Sequence, residues 1–496
     1  MSEIARDAEW QRLDPRMLLV HPIRELIRFL PVLIVIMVAR TAGGGEKWQL
    51  IGVAFPIALG VLRYLTTSFR IAAGRIELQR GLLSRHVLST PVDRVRTVDL
   101  TSSLIHRLLG LTTVRIGTGT ASTNDEDRID LDGLPLDRAR ELRAELLQTA
   151  AADDTAAQEA DPERVVVTFD PAWVRFAPLT GSGIVIAAAA LGALSQLLQA
   201  VGFFQEDHLE SVELPRLSLL LLIPLLALGL VVLLSLLSIA GYVVTNYGFR
   251  LSRLTGGAHT WHLTRGLVTT RETTLDDDRL AGVDLSEPLG LRLAHGARLS
   301  AIVTGLSGSQ RGSSTLVPPA PRAVVERVAT EVLDTAEPIA APLVSHGPRA
   351  GRRRWTRATL PALLVAVGCI VGWRLIGPVW LLVGLVALPA AGLLALDRVR
   401  SLGHALVAGY LVARSGSVVR RRRVLEVDHV IGWNFRATWF QRRAGLATLV
   451  ATTAGGNQAV EVLDVPDDEA VRIAHRALPD LVSQFADFPA NVPSVP

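Results

Sequence analysis

The chain has almost no cysteine or lysine. Its 496 residues include one cysteine, Cys369, and one lysine, Lys47, so nearly all of its basic residues are arginines. A single cysteine excludes an intramolecular disulfide and a zinc site built from several thiolates. The sequence also lacks HExxH, GxSxG and phosphate-loop motifs, and it has no Cys/His cluster at metal-ligand spacing. We therefore predict a non-enzymatic protein without a metal or cofactor.

Charge is present but kept apart from long apolar runs. Hydrophobic residues make up 49% of the chain, the mean hydropathy is +0.35 and the formal net charge is +4. Segregation of this kind is typical of membrane proteins. A basic excess suits either nucleic acid or anionic lipid. Basic stretches interleaved with aromatic residues, which favour single-stranded nucleic acid, are missing, so lipid is the preferred partner.

A stretch of forty residues occurs three times without gaps. The copies, called cassettes here, span residues 81–120, 266–305 and 416–455, and each begins with a glycine. The arginine found 26 residues after each starting glycine illustrates the match: Arg107, Arg292 and Arg442. Self-similarity of this length indicates duplication. The wide spacing of the copies predicts that each belongs to a small domain with a further segment attached.

A pair of apolar runs precedes each cassette, in residues 29–65, 179–248 and 358–396. A bilayer-spanning helix needs about 20 apolar residues, so we predict six transmembrane helices in three hairpins. Arginines flank the hairpins, whereas the hairpin tips hold few of them. The positive-inside rule then places both termini and all three cassettes in the cytoplasm of a multi-pass protein of the inner (plasma) membrane.

The first cassette has the pattern of a β-rich module. Alternating apolar residues predict short strands, with Gly81 at a hairpin turn. Helical spacing over Ser102–Gly110 predicts a short helix, and Leu136–Leu147 reads as an amphipathic helix that closes the module.

Residues 75–120 resemble the membrane-flanking bacterial pleckstrin-homology-like (PH-like) domain. The motifs that carry the resemblance are the Gly81 turn, Pro91-x-x-Arg94 and the run from Arg107 to Leu111. Three copies, each behind a helix pair, resemble the YdbT-like branch of that family. The resemblance implies a half-open antiparallel barrel of roughly seven strands, plugged by a C-terminal helix. It also implies roles in envelope stress and in resistance to antimicrobial peptides, often beside a shorter one-domain PH-like membrane protein.

The predicted fold class is an α+β membrane protein with six transmembrane helices in three hairpins, each followed by a cytoplasmic PH-like half-open barrel with a C-terminal helix. The predicted segments are a cytoplasmic N-terminus (1–28), hairpin 1 (29–65), PH-like domain 1 (69–148), a linker (149–170), hairpin 2 (179–248), PH-like domain 2 (249–335), a basic linker (336–357), hairpin 3 (358–396), PH-like domain 3 (399–485) and a tail (486–496).

The preferred function is that of a membrane scaffold or accessory protein in bacterial envelope homeostasis or antimicrobial-peptide resistance, whose PH-like domains bind protein partners or anionic lipid. The alternative is a transporter or export factor that moves a peptide or lipid through the helix bundle. Ion and proton pathways need charged residues within the membrane, and the apolar runs hold few of them. This scarcity favours the scaffold.

The strongest basic run, Arg420, Arg421, Arg422 and Arg423, is the candidate contact for lipid or a partner. The alternative is the solvated face of an edge strand. The acidic run Asp276–Asp278 suits a cation in principle, but a solvated loop between strands is the preferred interpretation. His259 and His262 have no third ligand nearby in the sequence, which disfavours a metal site.

Overall fold

The computed structural model describes residues 10–25, 57–58, 60–62, 64–72, 74–80, 86–91, 97–117, 129–149, 163–180, 192, 216–254, 260–303, 314–375, 377–453 and 459–483. These residues belong to two compact units, Met1–Asp277 and Asp278–Pro496. The predicted segments 1–9, 26–56 and 484–496, and most of 181–215, lie outside the described residues.

The first unit is built mainly from short strands. They are β1 (Gln11–Arg12), β2 (Ser68–Ala72), β3 (Arg75–Arg80), β4 (His86–Pro91), β5 (Thr97–Ser102), β6 (Leu111–Gly117), β7 (Ile129–Pro135), β8 (Arg164–Thr168), β9 (Arg250–Leu254), β10 (Thr260–Arg265) and β11 (Thr270–Asp276). Its helices are α1 (Leu104–Leu108), α2 (Leu136–Thr149) and α3 (Arg216–Asn246), with a 3-10 segment at Pro171–Thr180.

The second unit repeats this mixture. Its strands are β12 (Leu280–Pro288), β13 (Gly296–Val303), β14 (Thr315–Pro321), β15 (Gly403–Val407), β16 (Tyr410–Ser415), β17 (Val419–Glu426), β18 (Val430–Arg436), β19 (Leu446–Thr453) and β20 (Ala459–Pro466). Its helices are α4 (Leu289–Leu293), α5 (Arg322–Val332), α6 (Glu337–Ala340), α7 (Gly347–Leu375), α8 (Val379–Ser401), α9 (Trp439–Ala444), α10 (Asp467–Ala477) and α11 (Pro479–Ser483).

Strands within the first cassette and the elements that flank it share one hydrophobic core. Ile76 and Leu78 of β3 lie in it with Val98 and Leu100 of β5, and Leu142 of α2 closes it. All five side chains are almost fully buried. The alternation of buried and exposed residues explains why these segments form strands, because successive side chains point to opposite faces. The predicted closing helix and the predicted short helix before β6 are confirmed.

Each long sheet joins two successive cassettes. In the first unit the strand order is β7-β6-β5-β11-β10-β9-β8, so the second half of cassette one pairs with the first half of cassette two. In the second unit the order is β14-β13-β12-β17-β16-β15, which joins cassettes two and three in the same way. The half-open barrels predicted for single cassettes are therefore linked through their strands. A half-open barrel leaves strands with unpaired backbone groups, and the next cassette satisfies them.

A short strand before an apolar hairpin pairs with the first strand after it. β1 pairs with β2, and β8 pairs with β9. Asp14 and Asp170 then each accept a backbone N–H bond of 2.8 Å from the residue two positions on. An Asp side chain that bonds the backbone two residues on forms a turn, and the chain changes direction there as it passes from a strand to a helix. Each aspartate is followed by a proline, Pro15 or Pro171, so the Asp-Pro pair has the same structural role in both places.

Two helices in the described part of the chain are long and apolar enough to cross a membrane. They are Leu228–Asn246 within α3 and Gly347–Leu375, which is α7. α7 and α8 pack together, and a Cβ on Gly372 would approach the Trp380 ring to 2.8 Å, so this glycine permits the close approach. The six-helix topology stays a prediction, since most of hairpin 1 lies outside the described residues.

Glycine is required at the start of the second and third cassettes. Gly266 and Gly416 have φ of 112° and 104°, and a Cβ on either would lie 2.0 Å from a backbone oxygen. Only glycine adopts this conformation without a clash. The turn predicted at the equivalent position of the first cassette, Gly81, lies outside the described residues and stays a prediction.

Candidate functional site

A basic pocket lies where α7 begins beside the third cassette. Its volume is about 500 Å³. The lining residues come from α7, from β18 to β20 and from α9: Arg353, Arg354, Arg357, Arg436, Ala437, Thr438, Gln441, Thr448, Glu461, Leu463 and Asp464. Four arginines face two carboxylates there, so the lining carries an excess of positive charge. This set is called the arginine pocket below.

Asp464 organises the inner wall of the arginine pocket. Its side chain is 1% exposed and forms ion pairs with Arg353 and, at 2.6 Å, with Nε of Arg354. Gln441 Nε2 also donates to Asp464 Oδ1 over 2.9 Å. Asp464 has φ of 54°, a left-handed conformation that aspartate tolerates better than most residues. The buried carboxylate therefore holds the first turns of α7 against strand β20.

The N-terminus of α9 forms a second wall. The Thr438 hydroxyl accepts the Gln441 backbone N–H, and the Gln441 side-chain oxygen accepts the Thr438 backbone N–H at 3.0 Å, which completes a capping box. Gln441 Nε2 further donates to Thr448 Oγ1 at 2.9 Å. Gln441 is buried and satisfied on both ends of its amide. The pocket wall is consequently rigid.

The remaining positive charge lies at the pocket rim. Arg436 is 3.8 Å from Glu461, and its side chain is 67% exposed. Arg357 is exposed and has no ion-pair partner among the described residues. With Asp464 occupied by Arg353 and Arg354, these two rim guanidinium groups are available to an anion. Planar guanidinium groups bind phosphate and carboxylate oxygens in a bidentate manner.

An apolar groove opens on α7 close to the arginine pocket. It has a volume of about 570 Å³ and is lined almost entirely by carbon: Trp355, Thr356, Thr359, Leu360, Ala362, Leu363, Leu388, Ala391 and Gly392. Trp355 and Thr356 belong to the same helical turn as Arg357. The beginning of α7 thus presents basic and apolar surface within one or two turns, as an amphiphilic ligand requires.

Two buried histidines fix the segment that leads into α7. His346 Nδ1 donates to the Leu463 carbonyl over 2.8 Å, so its Nε2 accepts from His404 Nδ1 at 3.0 Å. Burial, with the neighbouring His404 ring, lowers the pKa of His346 to about 4. Burial also lowers the pKa of His404. His346 is therefore neutral at pH 7, and its two ring nitrogens clamp the segment between Leu463 and His404.

The first cassette carries a related cluster at matching positions. Ser103 and His106 stand where Thr438 and Gln441 stand, and Thr113 corresponds to Thr448. Ser103 caps α1, Nε2 of His106 lies 3.2 Å from Asp132, and Thr113 donates to Asp132 at 2.6 Å. Burial opposes ionisation of Asp132, but the hydrogen bonds of His106 and Thr113 hold its pKa well below the usual range.

The second cassette lacks this chemistry. The positions that match Thr438, Gln441 and Thr448 are Pro288, Leu291 and Arg298. Pro288 provides no side-chain cap for α4, and Leu291 is fully buried. The sequence contains the signal for this difference, because the three positions share offsets within the cassettes. Sequence reasoning that centred on runs of charge missed it, since Asp464, Arg353 and Gln441 lie far apart in the chain.

The four arginines predicted to contact lipid lie on β17. Arg420 binds Asp397 at 2.7 Å, and Arg422 donates to the carbonyls of Pro338 and Ala341 at 3.1 and 2.8 Å. Arg421 and Arg423 lie 3.8 and 3.7 Å from Asp284. β17 is an inner strand of its sheet, so the alternative interpretation as an edge strand is wrong. The lipid-contact prediction for these four residues stays a prediction.

The acidic run and the histidine pair have structural partners. Asp277–Arg279 is a 3-10 segment that joins β11 to β12, with Asp278 exposed, as the preferred interpretation expects; Asp277 is partly buried and accepts from Arg253 and from the Trp261 indole, each at 2.9 Å. The partners are available because Asp277 follows β11, which lies against β10. His262 lies on β10, 3.9 Å from Glu163, while His259 lies outside the described residues.

The family model of the bacterial PH domain matches residues 25–150 and 359–477. These regions contain the first and third cassettes, with Ser103, His106 and Asp132 in the one and Thr438, Gln441 and Asp464 in the other. The comparisons with curated proteins and with solved structures found no match.

Proposed function

Because the bacterial PH-domain model matches two regions of the chain and such domains suggest protein or lipid binding, we propose that the arginine pocket beside cassette three binds the headgroup of an anionic phospholipid. The whole chain then acts as a non-enzymatic membrane scaffold in envelope homeostasis or antimicrobial-peptide resistance. The observation that carries the proposal is the pairing of a basic pocket with an apolar groove at the start of one membrane-length helix.

The distribution of charge supports a headgroup rather than a free metabolite. Asp464 pairs with both inner arginines and offsets one of their two charges, and Arg357 and Arg436 remain at the rim. A basic side chain near an anionic leaflet contributes about 1 kcal/mol, so the two together contribute about 2 kcal/mol. This is enough for preference among lipids but too little to extract one from the bilayer. The pocket therefore suits recognition within the membrane.

Exposed apolar side chains on α7 support the same membrane position. Leu360, Leu364 and Val367 are all at least half exposed. Such a surface is unusual in water and ordinary in hydrocarbon. Arg374 at the far end of α7 lies 5.1 Å from the Trp373 ring, a combination that suits the opposite interface. The basic end of α7 and the arginine pocket then lie at the cytoplasmic surface.

Transport remains the second candidate function. A path for a polar solute needs polar or charged side chains inside the helices. The described apolar segments, residues 228–246 and 358–373, contain no charged residue. The scaffold is therefore preferred.

A shorter one-domain PH-like membrane protein is the protein partner that we propose for the complex.

Lipid retention by the purified chain tests the headgroup site. The full chain is extracted in mild detergent from membranes of mixed phosphatidylglycerol and phosphatidylcholine, and the bound lipids are counted by native mass spectrometry. The wild-type chain is expected to retain phosphatidylglycerol over phosphatidylcholine. The double substitution Arg357→Gln with Arg436→Gln should reduce this preference about tenfold or more, the loss expected for two contacts of about 0.7–1 kcal/mol each.

A neighbouring arginine provides the matched control. Arg352 is exposed on the same helix but does not line the pocket. Arg352→Gln removes one positive charge from the same helix, is compared with either single substitution at Arg357 or Arg436, and should leave lipid retention nearly unchanged. Equal losses in the two variants would mean that general membrane charge, and not the pocket, selects the lipid. Undiminished preference in the double variant would refute the site.

A further inference from the structure

Cassettes meet by the same strand pairing at both junctions of the chain. β5, the second strand within cassette one, pairs antiparallel with β11, the first strand within cassette two. In the same way β12, the second strand within cassette two, pairs antiparallel with β17, the first strand within cassette three. The pairing is thus a property of the repeat and not of one sequence.

The register of the two junctions is identical. When positions are counted from each cassette's starting glycine, the two partners of every pair add up to 25. Leu100, nineteen residues after Gly81, faces Glu272, which is six after Gly266. Leu285, nineteen after Gly266, faces Arg422, which is six after Gly416. Different side chains in the same register indicate that backbone geometry fixes the junction.

Each internal junction joins two kinds of strand, and one further strand of each kind lies at the end of a sheet. β4 of cassette one ends the order β1-β2-β3-β4, and β18 of cassette three ends the order β18-β19-β20. Neither has a second neighbouring strand in the described part of the chain. β4 is the equivalent of β11 and β17, and β18 is the equivalent of β5 and β12. The described part of the chain therefore contains two end strands, β4 and β18, that match the two kinds of strand found at each internal junction.

We propose that β18 of one chain pairs with β4 of a second copy in the register of the two internal junctions. The rule of 25 then gives the partners: Gly432 with Thr90, Trp433 with Ser89, Asn434 with Leu88, Phe435 with Val87 and Arg436 with His86. Such an interface joins two different surfaces, so each added copy presents a further open strand. The assembly is a chain or a closed ring within the membrane plane.

The side chains on the two strands suit this pairing. Val87 is 53% exposed and Phe435 45% exposed, and the proposed register sets them opposite each other. Apolar cross-strand pairs of this type contribute roughly 0.2–1 kcal/mol, in addition to the new backbone hydrogen bonds. β4 contains no Asp, Glu, Lys or Arg, and β18 contains one charged residue, Arg436.

Another end strand of the protein has the protection that β4 and β18 lack. β14 ends its sheet and contains Pro318, Pro319 and Pro321. Proline has no N–H to donate, so strand addition is blocked there. Since β4 holds only Pro91, at its last position, and β18 holds none, backbone donors remain for a new strand. A second copy of this chain is the occupant whose strand has the complementary register.

Two single-cysteine chains test the pairing between copies. In a Cys369→Ala background, one chain carries Val87→Cys and a differently tagged chain carries Phe435→Cys, and both are co-expressed and oxidised in their native membranes. Directly opposed strand residues lie about 4.5–5.5 Å apart at Cα, within the reach of a disulfide, which fails beyond about 7 Å. A disulfide-linked heterodimer carrying both tags is the expected product.

A register control uses Ser89→Cys in place of Val87→Cys. Ser89 lies on the same face of β4 but two residues away, so it is a diagonal neighbour at about 7–8 Å. At least a tenfold lower yield of heterodimer is expected. Equal yields would overturn the register, and no heterodimer with Val87→Cys would overturn the contact between copies. A cross-link of Phe435→Cys to a shorter PH-like protein alone would equally overturn the assignment to a second copy.

A measurement without cysteines separates assembly from chance collision. The mass of the wild-type chain in detergent micelles should correspond to more than one copy. Phe435→Lys places a charge in the open strand, which natural edge strands use to prevent pairing, and it should shift the mass to one copy. Phe440→Lys is the control, since Phe440 is exposed on α9 outside the strand and its variant should keep the wild-type mass. A wild-type mass of one copy would contradict the proposal.

Discussion

The second and third cassettes anchor their leading segments by opposite means. Before cassette two, Trp173 packs at 6.3 Å from both Phe169 and Phe249, and Phe169 lies 6.4 Å from Tyr242. Before cassette three, Arg353 and Arg354 converge on the buried carboxylate of Asp464. Both arrangements hold the segment before an apolar run against a β-sheet. The fold therefore permits either aromatic packing or ion pairing at this place.

The difference bears on function because the two anchors leave different surfaces. Aromatic rings pack against one another and need no counter-charge, so this anchor leaves little charge for a ligand. The ion-paired anchor contains Arg353 and Arg354, and two further arginines, Arg357 and Arg436, lie beside them at the pocket rim. Cassette one resembles cassette three in its Ser103, His106 and Asp132 cluster. The polar cassettes are those that the bacterial PH-domain model matches.

The largest effect is expected from removing the anchor charge of cassette three. Asp464→Asn keeps the size and tolerates the left-handed backbone, but it leaves Arg353 and Arg354 partly buried without a counter-charge. Breaking a buried ion pair in this way costs about 3–5 kcal/mol. Hydrogen exchange in β20 and α9 should become correspondingly faster in the full chain. Glu461→Gln at the pocket rim serves as the control, and similar exchange in both variants would contradict an anchoring role for Asp464.

Acid is expected to loosen cassette three before cassette two. Burial lowers the pKa of His346 to about 4, so the folded state holds it neutral while the unfolded chain binds a proton below about 6.5. Stability is then complete above pH 6.5 and is lost as the pH falls toward 4, by an amount on the order of 3 kcal/mol. Hydrogen exchange at pH 7 and pH 5 checks this.

The histidine itself is the control for the acid effect. His346→Gln removes the titrating ring, and Gln can still donate to the Leu463 carbonyl. Its protection in β20 should be lower at pH 7 but should change little down to pH 5. A pH response in the variant equal to that of the wild type would assign the loss of stability to other groups.

A smaller effect is expected when cassette two is given the polar residue of cassette three. Leu291→Gln buries an amide in cassette two, which lacks the threonine and aspartate that bond Gln441 in cassette three. An unsatisfied buried amide costs about 1–3 kcal/mol. Leu293→Gln, on the same short helix but 73% exposed, should be nearly neutral. Thermal melting of the two variants measures the difference, and equal melting temperatures would show that the Leu291 site already accommodates polar groups.

The smallest effect is expected at the helix cap. Thr438→Ala removes the hydroxyl that accepts the Gln441 N–H and that completes the capping box. Loss of such a cap costs about 1 kcal/mol, and Thr438→Ser should restore most of it because serine caps equally well. Hydrogen exchange of α9 reads the change locally. No difference between the alanine and serine variants would remove the cap from the account.

Local patterns in the sequence were sufficient for much of the fold. Helical spacing gave the short helix before β6 and the closing helix α2, because amphipathic periodicity depends on a single element. Starting glycines marked turns at Gly266 and Gly416, where only one residue type fits. The offset count also contained the equivalence of Leu291 with Gln441. The chemical role of Gln441 at this position became clear only from the places of Asp464 and Arg353 in the structure.

Sheet order and the arginine pocket were beyond the sequence for a physical reason. The strands β5 and β11 lie some 170 residues apart in the chain and pair through backbone groups, which carry no side-chain signature. Similarly, Arg420 to Arg423 read as exposed charge because Asp397 and Asp284, their partners, belong to other elements. A run of like charge says where cations are, but it does not reveal which of them are already paired.

The central claim is that cassette three, and not cassette two, binds an anionic headgroup, and photo-crosslinking with site mapping tests it most directly. The full chain in nanodiscs is labelled with photoactivatable phosphatidylglycerol or phosphatidylcholine, and the adducts are located by peptide mass spectrometry. The account predicts phosphatidylglycerol adducts on residues 353–357 and 436–438, several-fold above those on residues 171–177 and 286–291. Equal labelling of both regions, or equal labelling by the two lipids, would contradict it.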